Sequence, residues 1–425
     1  MNRDWTPVDV ERAPAPNACR FCSSPLRHTV VDLGMSPLCE SYISADQLNQ
    51  MEPFYPLHVY VCDKCYLVQV QEYVSGEEIF SDYAYFSSYS DTWLAHAERY
   101  TDEMIGRWRL DSKSRVVEVA SNDGYLLQYF VARDIPCLGI EPAANVARVA
   151  KEKGVPTVVD FFGKRLATEA AQRGEHADLL IGNNVLAQVH DLNDFVGGLK
   201  ELLAPHGVIT LEFPHLMRLV EENQFDTIYH EHYSYFSLCS TREIFKTHGL
   251  AVFDVEELST HGGSLRIYAG HAADESKKLT DRCQELFDRE EAAGILSLEY
   301  YSSFANQVEE TKCRLLEFLI DAKRAGRTVV GYGAPGKGNT LLNYCGIRTD
   351  FLDYTVDRNP HKQGKFLPGS HIPIYHPDRI RETRPDVILI LPWNLRDEIA
   401  GQMQYAKSWG GRLAVPIPRA QLLDW

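Results

Sequence analysis

Four cysteines in two closely spaced pairs are the first residues of this chain whose types and spacing point to chemistry. Cys19 pairs with Cys22 and Cys62 with Cys65, each in a Cys-x-x-Cys arrangement. Each pair can supply two thiolates from one tight turn, so four sulfurs can close a tetrahedron around Zn²⁺ and leave no position for a substrate. The spacing therefore predicts a structural zinc site. Four unligated cysteines and a redox pair are the alternatives.

A second group of reactive side chains occupies five consecutive positions, Tyr229 to Tyr233, with the sequence YHEHY. Histidine titrates near neutrality, and a neighbouring carboxylate can fix its tautomer and raise its basicity. The run therefore favours acid/base chemistry. A metal site would need further ligands that the sequence does not identify, and a purely structural polar loop is the remaining alternative.

Polar residues also follow four successive predicted strands in the middle of the chain. A pyrophosphate site would need G-x-G-x-x-G after the first strand, but only Gly124 is present, and Asp123 would repel phosphate. The pattern suits a ligand with an ammonium group and no phosphate, such as S-adenosylmethionine. Glu141 is then expected at the ribose. The strand ends also place Asp160 and Phe161 near the adenine, and Asn183 and Asn184 beside the sulfonium. Helix caps in a generic α/β fold are the alternative for each residue.

A Gly-rich segment near the C-terminus, GYGAPGKGN, connects a predicted strand to a predicted helix. Its backbone amides and Lys337 could hold a diphosphate, with Asp357, Arg358 and Lys362 following a later strand end as further partners. The segment matches neither a Walker motif nor a dinucleotide fingerprint, so a tight strand-to-helix turn is the alternative.

The predicted strands and helices that would position these residues indicate an α/β protein. Short strands and turns surround the cysteines, and strands then alternate with helices, which indicates a parallel sheet with helices on both faces. A long helical stretch from about Glu285 to Ala325 precedes a second, smaller α/β unit. With 425 residues the chain is long enough for three domains. We expect their boundaries at residues 1–75, 76–310 and 311–425.

Composition excludes several classes of protein. A net charge of −16 argues against a nucleic-acid surface, because phosphate backbones require clustered Lys and Arg. Neither a signal-peptide-like segment nor a run of 18 uncharged apolar residues occurs, and the other cysteines lack metal spacing. We therefore expect a cytoplasmic protein that binds no membrane and no nucleic acid, and we expect it to be a monomer.

Taken together, the motifs carry a family resemblance over almost the whole chain. The matching pieces are the four cysteines, DYAYFSS from Asp82, EVASNDGYL from Glu118, GIEP from Gly139, NNVLA from Asn183, YHEHYSYFS from Tyr229, HGGSLR from His261 and GYGAPGKGNTLLNYCG from Gly331. The set resembles the S-adenosylmethionine-dependent C-methyltransferases that act on nucleotide-linked keto-deoxysugars in antibiotic and surface-glycan biosynthesis, which include the tetronitrose carbon-3 methyltransferase.

This resemblance implies a zinc-binding N-terminal module, a central Rossmann-like methyltransferase domain and a C-terminal Rossmann-like domain that helps to hold a nucleotide sugar, expected to be dTDP-linked. The cofactors it implies are S-adenosylmethionine and a structural Zn²⁺. The implied cofactor-binding residues are Ser87, Glu118, Asn122, Asp123, Gly124, Glu141, Asp160, Phe161, Asn183 and Asn184. The implied substrate-binding residues are Gln188, Lys337, Asn339, Asp357 and Arg358.

The implied reaction is methylation of a ring carbon, 3 or 5, next to the keto group of a 4-keto sugar. A base removes the acidified hydrogen, and the resulting enolate attacks the sulfonium methyl group. By similarity His232 is the base and His230 the alternative, Glu231 or a nearby group orients the base, and Tyr229 and Tyr83 are hydrogen-bond partners of the keto oxygen.

The chain departs from the family at one position, where many relatives carry a histidine after NNVLA and this sequence has Gln188. An amide exchanges no proton at neutral pH, so proton abstraction falls to the YHEHY run unless His190 has taken over. A nucleotide-sugar oxidoreductase or epimerase and a non-catalytic sugar-binding relative are the competing hypotheses. The glycines required for a nicotinamide site are absent from the first strand-to-helix turn, and the YHEHY run favours an enzyme.

Overall fold

A computed structural model describes residues 18–80 and 86–424 of the chain. Their strands form three sheets of four, seven and six strands, with helices packed between and around them. The predicted α/β fold class is therefore confirmed. In the part of the chain that is described, no helix combines the length and the apolar character that crossing a membrane would require.

The first sheet is antiparallel and carries the cysteine pairs at its turns. Three of its strands come from the N-terminal segment, but the fourth lies more than 160 residues further along the sequence, as its residue numbers show. The strands, in spatial order, are β1 (His28–Ser36), β2 (Tyr55–Val61), β3 (Val68–Val70) and β9 (Ser234–Tyr235). Strand β9 pairs with β3 through Tyr235 opposite Val68, so the segment directly after the YHEHY run belongs to the N-terminal sheet.

The seven-stranded central sheet has the order β10-β11-β8-β7-β4-β5-β6, and all its neighbours are parallel except the pairs β10/β11 and β11/β8. All four residues of β4 are buried, as expected for a parallel strand covered by helices on both faces. The strands are β4 (Val116–Val119), β5 (Cys137–Ile140), β6 (Thr157–Val158), β7 (Ala177–Asn183), β8 (Leu203–Pro214), β10 (Leu250–Leu258) and β11 (Ser264–His271).

Helices cover the central sheet. The longest of them begins after Ser90, whose side chain accepts a hydrogen bond from the Trp93 amide, and Asp91 and Arg107 match the helix dipole at its two ends. The helices of this region are α1 (Gly76–Phe80), α2 (Asp91–Trp108), α3 (Leu127–Val131), α4 (Ala144–Glu152), α5 (Lys164–Gln172), α6 (Leu192–Leu202), α7 (Leu216–Glu221) and α8 (Leu238–Thr247).

Three helices connect the central sheet to the third sheet, where the sequence predicted one long helical stretch. They are α9 (Asp281–Ala293), α10 (Leu298–Tyr301) and α11 (Phe304–Arg324). The stretch is helical as predicted, and it is divided because Gly294, with φ 86°, ends α9 in the left-handed region and Ser297 caps a new helix. Helix α11 alone spans 21 residues.

The third sheet has the order β14-β13-β12-β15-β16-β17, parallel except for its last pair. It begins with β12 and the Gly-rich segment, which leads into a helix as the sequence predicted. Its strands and helices are β12 (Val329–Tyr332), β13 (Thr355–Val356), β14 (Ile374–Tyr375), β15 (Val387–Ile390), β16 (Arg412–Val415), β17 (Gln421–Leu422), α12 (Gly336–Cys345), α13 (Arg379–Thr383) and α14 (Arg396–Gln402).

A loop of the N-terminal segment, residues 37–43, lies between the YHEHY run and the third sheet. The Tyr42 hydroxyl donates to the carbonyl of Ala334 at 2.6 Å, and Ile43 forms an isolated β-bridge with Phe366. Consistent with this arrangement, one buried apolar cluster contains residues of the first sheet, α11 and the third sheet. The N-terminal and C-terminal parts of the chain are thus packed against each other.

Candidate active site

The four paired cysteines converge at one point. Their sulfur atoms all lie within 4.8 Å of one another, and Cys19–Cys65 and Cys22–Cys62 are each 3.5 Å apart. A tetrahedron with Zn–S bonds of about 2.3 Å has sulfur–sulfur edges of about 3.8 Å, so the four thiols fit a zinc ion. The side-chain amide of Gln69, on β3, donates a hydrogen bond to the Cys19 sulfur at 3.2 Å. This contact supplies the outer hydrogen bond that such sites commonly have.

A cavity of about 320 Å³ opens at the carboxyl ends of β4, β5 and β7, where doubly wound sheets bind ligands. Its volume lies in the range of about 300–1,000 Å³ that is usual for small-molecule sites. The predicted cofactor residues that line it are Ser87, Asn122, Glu141, Asp160, Phe161, Asn183 and Asn184, and the predicted substrate residue Gln188 lies there too. These residues, which the sequence placed at successive strand ends, thus lie together at one cavity, and their roles at a cofactor stay predictions.

Glu141 lies at the centre of the cavity wall, directly after β5. Its two carboxylate oxygens accept hydrogen bonds from the backbone amides of Asn122 and Ala143, each at 2.9 Å. These donors fix the orientation of the carboxylate, and the remaining lone pairs can accept hydroxyl hydrogens. Burial raises the pKa of Glu141 to about 7, because the charged form has lost most of its hydration.

The other lining residues follow their strands in the predicted order. Asn122 and Asn184 both adopt left-handed φ angles, 49° and 57°, which place their side chains at the tight turns after β4 and β7. The Asn122 side chain accepts a hydrogen bond from the Ser87 amide at 2.9 Å. Phe161 lines the cavity and is 42% exposed. Asp160 accepts from the Phe161 amide and pairs with Arg165 at 2.5 Å.

Three predicted cofactor residues lie outside the cavity lining. Asp123 is 2% exposed, and its carboxylate pairs with the Lys153 ammonium at 3.2 Å rather than facing the cavity. Glu118 is fully buried on β4, and burial raises its pKa well above the ordinary value. Gly124, with φ 74°, packs against Val155 and Ala150. The roles of these residues at the cofactor therefore stay predictions from the sequence.

His232, the fourth residue of the YHEHY run, is buried. Its Nδ1 lies 3.0 Å from the carbonyl oxygen of Thr227, which can only accept, so Nδ1 carries the proton and Nε2 keeps its lone pair. Burial lowers the pKa of His232 to about 3, with smaller contributions from His261 and Lys337. The ring of Tyr229 packs against it with centroids 4.0 Å apart.

Two further members of the run, His230 and Glu231, contact the N-terminal segment. The His230 Nε2 lies 3.2 Å from the carbonyl of Pro56, and its ring packs edge-on against Tyr55. Glu231 accepts a hydrogen bond from the Cys39 thiol at 3.4 Å. The group seen to orient His232 is therefore the Thr227 carbonyl.

The predicted substrate residues of the third sheet have protein partners. Lys337, at the start of α12, donates to the His261 carbonyl at 2.8 Å and to the Asn394 side chain at 3.4 Å. Burial lowers its pKa to about 8. Asn339 is 1% exposed. Asp357 accepts from the Ala334 and Asn359 amides at 2.7 and 2.8 Å.

Arg358 is 47% exposed and lies 3.6 Å from Asp91 and 3.8 Å from Glu398. Lys362 lies 3.4 Å from Glu40 and donates to the Ala334 carbonyl at 3.0 Å. Tyr83 lies outside the described residues, so its predicted role stays a prediction.

Sequence reasoning missed three aromatic or imidazole side chains at the cavity. Trp93 and Tyr125 line it, stacked with centroids 5.7 Å apart, and the Tyr125 hydroxyl accepts from the Asn183 amide at 3.2 Å. His261 packs edge-on against Trp93 at 5.1 Å, and its Nε2 lies 3.1 Å from the Asn184 amide nitrogen. The HGGSLR motif was the available signal for His261.

Three family models match this chain in succession. A "Putative zinc binding domain" matches residues 19–80, a "Methyltransferase domain" residues 93–255 and a "C-methyltransferase C-terminal domain" residues 259–418. The C-methyltransferase NovU of Streptomyces niveus is 35% identical over 406 residues, which cover 96% of each chain. This chain belongs to the S-adenosylmethionine-dependent C-methyltransferase family. The predicted enzyme class, its cofactor and its zinc-binding module are therefore confirmed for this methyltransferase.

Two solved structures resemble part of this methyltransferase weakly. Magnesium protoporphyrin IX methyltransferase (ChlM) of Synechocystis PCC 6803, with bound SAH, covers 41% of this chain and 82% of its own at 14% identity and a TM-score of 0.34. The PH0226 protein of Pyrococcus horikoshii OT3 covers 46% of this chain and 97% of its own at 13% identity and a TM-score of 0.35.

Proposed function

We propose that this C-methyltransferase methylates ring carbon 3 or 5, next to the keto group of a nucleotide-linked 4-keto-deoxysugar, through an enolate that His232 generates. The observation that carries the proposal is the tautomer of His232. With Nδ1 donating to Thr227, its Nε2 lone pair is available to remove a proton. A hydrogen on carbon next to a carbonyl is acidic enough for such a base.

Burial keeps His232 neutral at physiological pH, so its Nε2 is unprotonated before the substrate binds. His230 is the weaker alternative, since its ring contacts Pro56 and Tyr55 of the N-terminal segment. Tyr229 packs on the His232 ring and is placed to donate its hydroxyl hydrogen to a keto oxygen or enolate near the base. Burial raises the pKa of Tyr229, so the hydroxyl keeps its proton.

The methyl donor is proposed to lie in the cavity at the ends of β4, β5 and β7. Glu141 would accept the ribose hydroxyls, Phe161 would contact the adenine, and Asn184 would lie beside the sulfonium. The substrate would approach from the side of the third sheet, where Lys337 and Asn339 start α12. A zinc ion held by four cysteines has no open position, so the proposed steps use only the chain's own side chains.

The substrate class is tested by incubating the protein with S-adenosylmethionine labelled in its methyl group and a panel of 4-keto-6-deoxy nucleotide sugars. Mass spectrometry is expected to find one methyl group on a ring carbon of at least one sugar, and fragmentation would assign the carbon. Matched sugars reduced at carbon 4 are the control, because they cannot form the enolate. Equal methylation of reduced and keto sugars would refute the mechanism.

The base is tested by exchange of the substrate's α-hydrogen with deuterated water. His232→Ala should abolish both exchange and methyl transfer, since no other group supplies the base. His190→Ala and Gln188→Ala should leave exchange measurable. His190 lines the cavity and pairs with Glu72, so His190→Ala tests an imidazole at the proposed cofactor site that is not the proposed base.

Binding of S-adenosylhomocysteine would verify that each variant is folded. Loss of exchange in His190→Ala, with exchange intact in His232→Ala, would reverse the assignment. Full activity in both variants would make His230 or Tyr229 the next base to test.

A further inference from the structure

A short segment before α2, residues 86–89, forms part of the wall of the cavity at the ends of β4, β5 and β7. Ser87 lines the cavity directly. On one side the segment contacts the part of the chain that forms the third sheet, because the Phe86 ring stacks on the ring of His361 with centroids 5.3 Å apart. On the other side it lies against the loop that follows β4. The segment therefore lies between the proposed site of the methyl donor and the third sheet.

Two backbone amides of this segment donate to side chains of the loop after β4. The Ser87 amide donates to the Asn122 side-chain oxygen at 2.9 Å, and the Ser88 amide donates to the Asp123 carboxylate at 3.3 Å. The backbone amide of Asn122 in turn donates to Glu141, the residue proposed at the ribose, at 2.9 Å. The position of the segment is thus linked through the loop to the wall of the cavity.

Lys153 joins the segment and the loop through one ammonium group. It donates to the Ser88 hydroxyl at 2.6 Å and to the Asp123 carboxylate at 3.2 Å. The Asp123 side chain is 2% exposed, so salt screens this ion pair much less than a pair at the surface. Removal of the ammonium would leave a buried carboxylate without this charge partner, which favours a rearrangement of the loop and the segment.

The local backbone brings Lys153 to this place. The residue follows α4 directly, and its amide donates to the carbonyls of Val149 and Ala150, both at 3.1 Å. The loop after β4 approaches this end of α4 closely at Gly124, where an added Cβ would lie 3.2 Å from the Cβ of Ala150. Gly124 also has a φ of 74°, so a glycine accommodates both the approach and the turn. This close packing brings the loop within reach of the lysine side chain.

We propose that Lys153 is a positioning residue that holds the segment 86–89 against the loop after β4, and that it thereby shapes the part of the cavity that takes the methionine moiety of the methyl donor. The inference rests on the proposed function, which places Phe161, after β6, at the adenine and Glu141, after β5, at the ribose. In the sheet order β7-β4-β5-β6, the rest of the donor then lies at the ends of β4 and β7. Lys153 lies outside the cavity lining and acts through Ser88 and Asp123.

Calorimetry with S-adenosylhomocysteine and with adenosine tests the proposal, since adenosine lacks the amino-acid part of the ligand. Lys153→Met keeps a side chain of similar length but removes the charge and the donors. It should weaken S-adenosylhomocysteine binding about tenfold and change adenosine binding less than about twofold. Lys153→Arg should restore most of the affinity, because a guanidinium can donate to both partners. The matched control is Lys151→Met, which replaces an exposed lysine of α4 and should change neither affinity.

A merely structural role for Lys153 would weaken the binding of both ligands by the same factor, and that result would overturn the proposal. An unchanged affinity for S-adenosylhomocysteine in Lys153→Met would also overturn it. If that variant does not fold, Ser88→Ala decides the question, because it removes the hydroxyl and leaves the pair of Lys153 with Asp123. It should lower the affinity for S-adenosylhomocysteine relative to adenosine at least about threefold, and an unchanged ratio refutes the proposal. A wild-type protein that binds neither ligand would instead refute the proposed cofactor site.

Discussion

Burial shifts the pKa values of three titratable side chains near the proposed reaction centre, in each case in the direction that favours the neutral form. The pKa of Glu141 is raised to about 7, that of Lys337 is lowered to about 8, and that of His232 is lowered to about 3. Each shift has desolvation as its largest cause. The charges that a cofactor and a substrate bring into the site are therefore expected to restore the ionised forms of Glu141 and Lys337.

Glu141 gives a prediction at the scale of a single residue. Its carboxylate accepts ribose hydroxyls best when ionised, and its folded pKa of about 7 exceeds the ordinary 4.5. Affinity for S-adenosylhomocysteine should fall about tenfold as the pH is lowered from 8 to 6, because the proton must be displaced. Glu141→Gln should weaken binding at pH 8 by about 1 to 3 kcal/mol and remove the part of the pH dependence that Glu141 contributes.

Calorimetry across this pH range checks the prediction, and the Gln variant also controls for titration of the ligand's own groups. Identical pH slopes in the two proteins would show that Glu141 does not titrate at the ribose. An unchanged affinity at pH 8 would remove it from the cofactor site.

At the scale of elements, the cysteine cluster and the YHEHY run both adjoin strands of the first sheet. Strand β2 ends at Val61, directly before Cys62, and β3 begins at Val68, three residues after Cys65. Strand β3 then pairs with β9, which follows the run without a break. The Tyr233 carbonyl also accepts from the Val70 amide at 3.0 Å. The cluster therefore lies next to the strand that pairs with β9, which follows the proposed base after one intervening residue.

Removal of the metal should lower the rate of methyl transfer much more than the affinity for the cofactor. Cys62→Ser is expected to lose zinc and destabilise the first sheet, since folding free energy of such modules comes from metal coordination. Methyl transfer should drop at least about tenfold, while S-adenosylhomocysteine affinity stays within about threefold, because most of the cavity lies on the central sheet. Metal analysis, rate and calorimetry measure the three effects.

The matched control is Cys313→Ser, an exposed thiol on α11 far from the cluster in sequence, which should change none of the three. Protein purified without chelator that contains no zinc would refute the metal site. If Cys62→Ser lowers the rate of methyl transfer and the affinity for S-adenosylhomocysteine by the same factor, the prediction that zinc loss affects mainly catalysis is wrong.

At the scale of the whole molecule, buried polar contacts join the part of the chain that carries the YHEHY run to the third sheet. Asp226 is fully buried just before the run, and its carboxylate accepts from the indole nitrogen of Trp393 at 2.7 Å. The Thr340 hydroxyl donates to the Ile228 carbonyl at 2.9 Å. These contacts fix α12 against the segment that leads into the proposed base.

The buried carboxyl of Asp226 leads us to predict that the free energy of unfolding depends on pH. Burial raises its pKa from 3.8 to about 6, so the folded protein keeps the proton to higher pH than the unfolded chain. This residue's contribution to stability should therefore fall as the pH rises from about 4 to about 6. Between pH 5 and pH 7.5 the loss is about 1.4 kcal/mol, and Asp226→Asn should lack it, since an amide does not titrate.

Chemical denaturation of both proteins at the two pH values measures this difference. Asp350→Asn, which removes one exposed carboxylate, controls for the change in net charge. If the free energy of unfolding of Asp226→Asn changes between the two pH values as much as that of the wild-type protein, the buried carboxyl does not titrate in this range and the prediction is wrong.

The sequence by itself determined the features that depend on local order. Cysteine spacing identified the four ligands that converge, and polar residues after predicted strands identified Glu141, Asn122 and Asn184 at the cavity. This works because parallel strands point their carboxyl ends to one edge, so position along the chain fixes position in space. The same rule could not say which way a side chain turns, and Asp123, next to Asn122, faces Lys153 instead.

Only the tertiary structure decided the contacts between residues distant in sequence. His261 meets Asn184 across 77 positions and Lys337 across 76, and β9 joins a sheet whose other strands lie near the N-terminus. No local pattern encodes such pairs, because they arise when separately formed layers bury their apolar faces together. The cysteine cluster and the residues that line the cavity were therefore predictable from the sequence, while the surroundings of His232 and His261 were not.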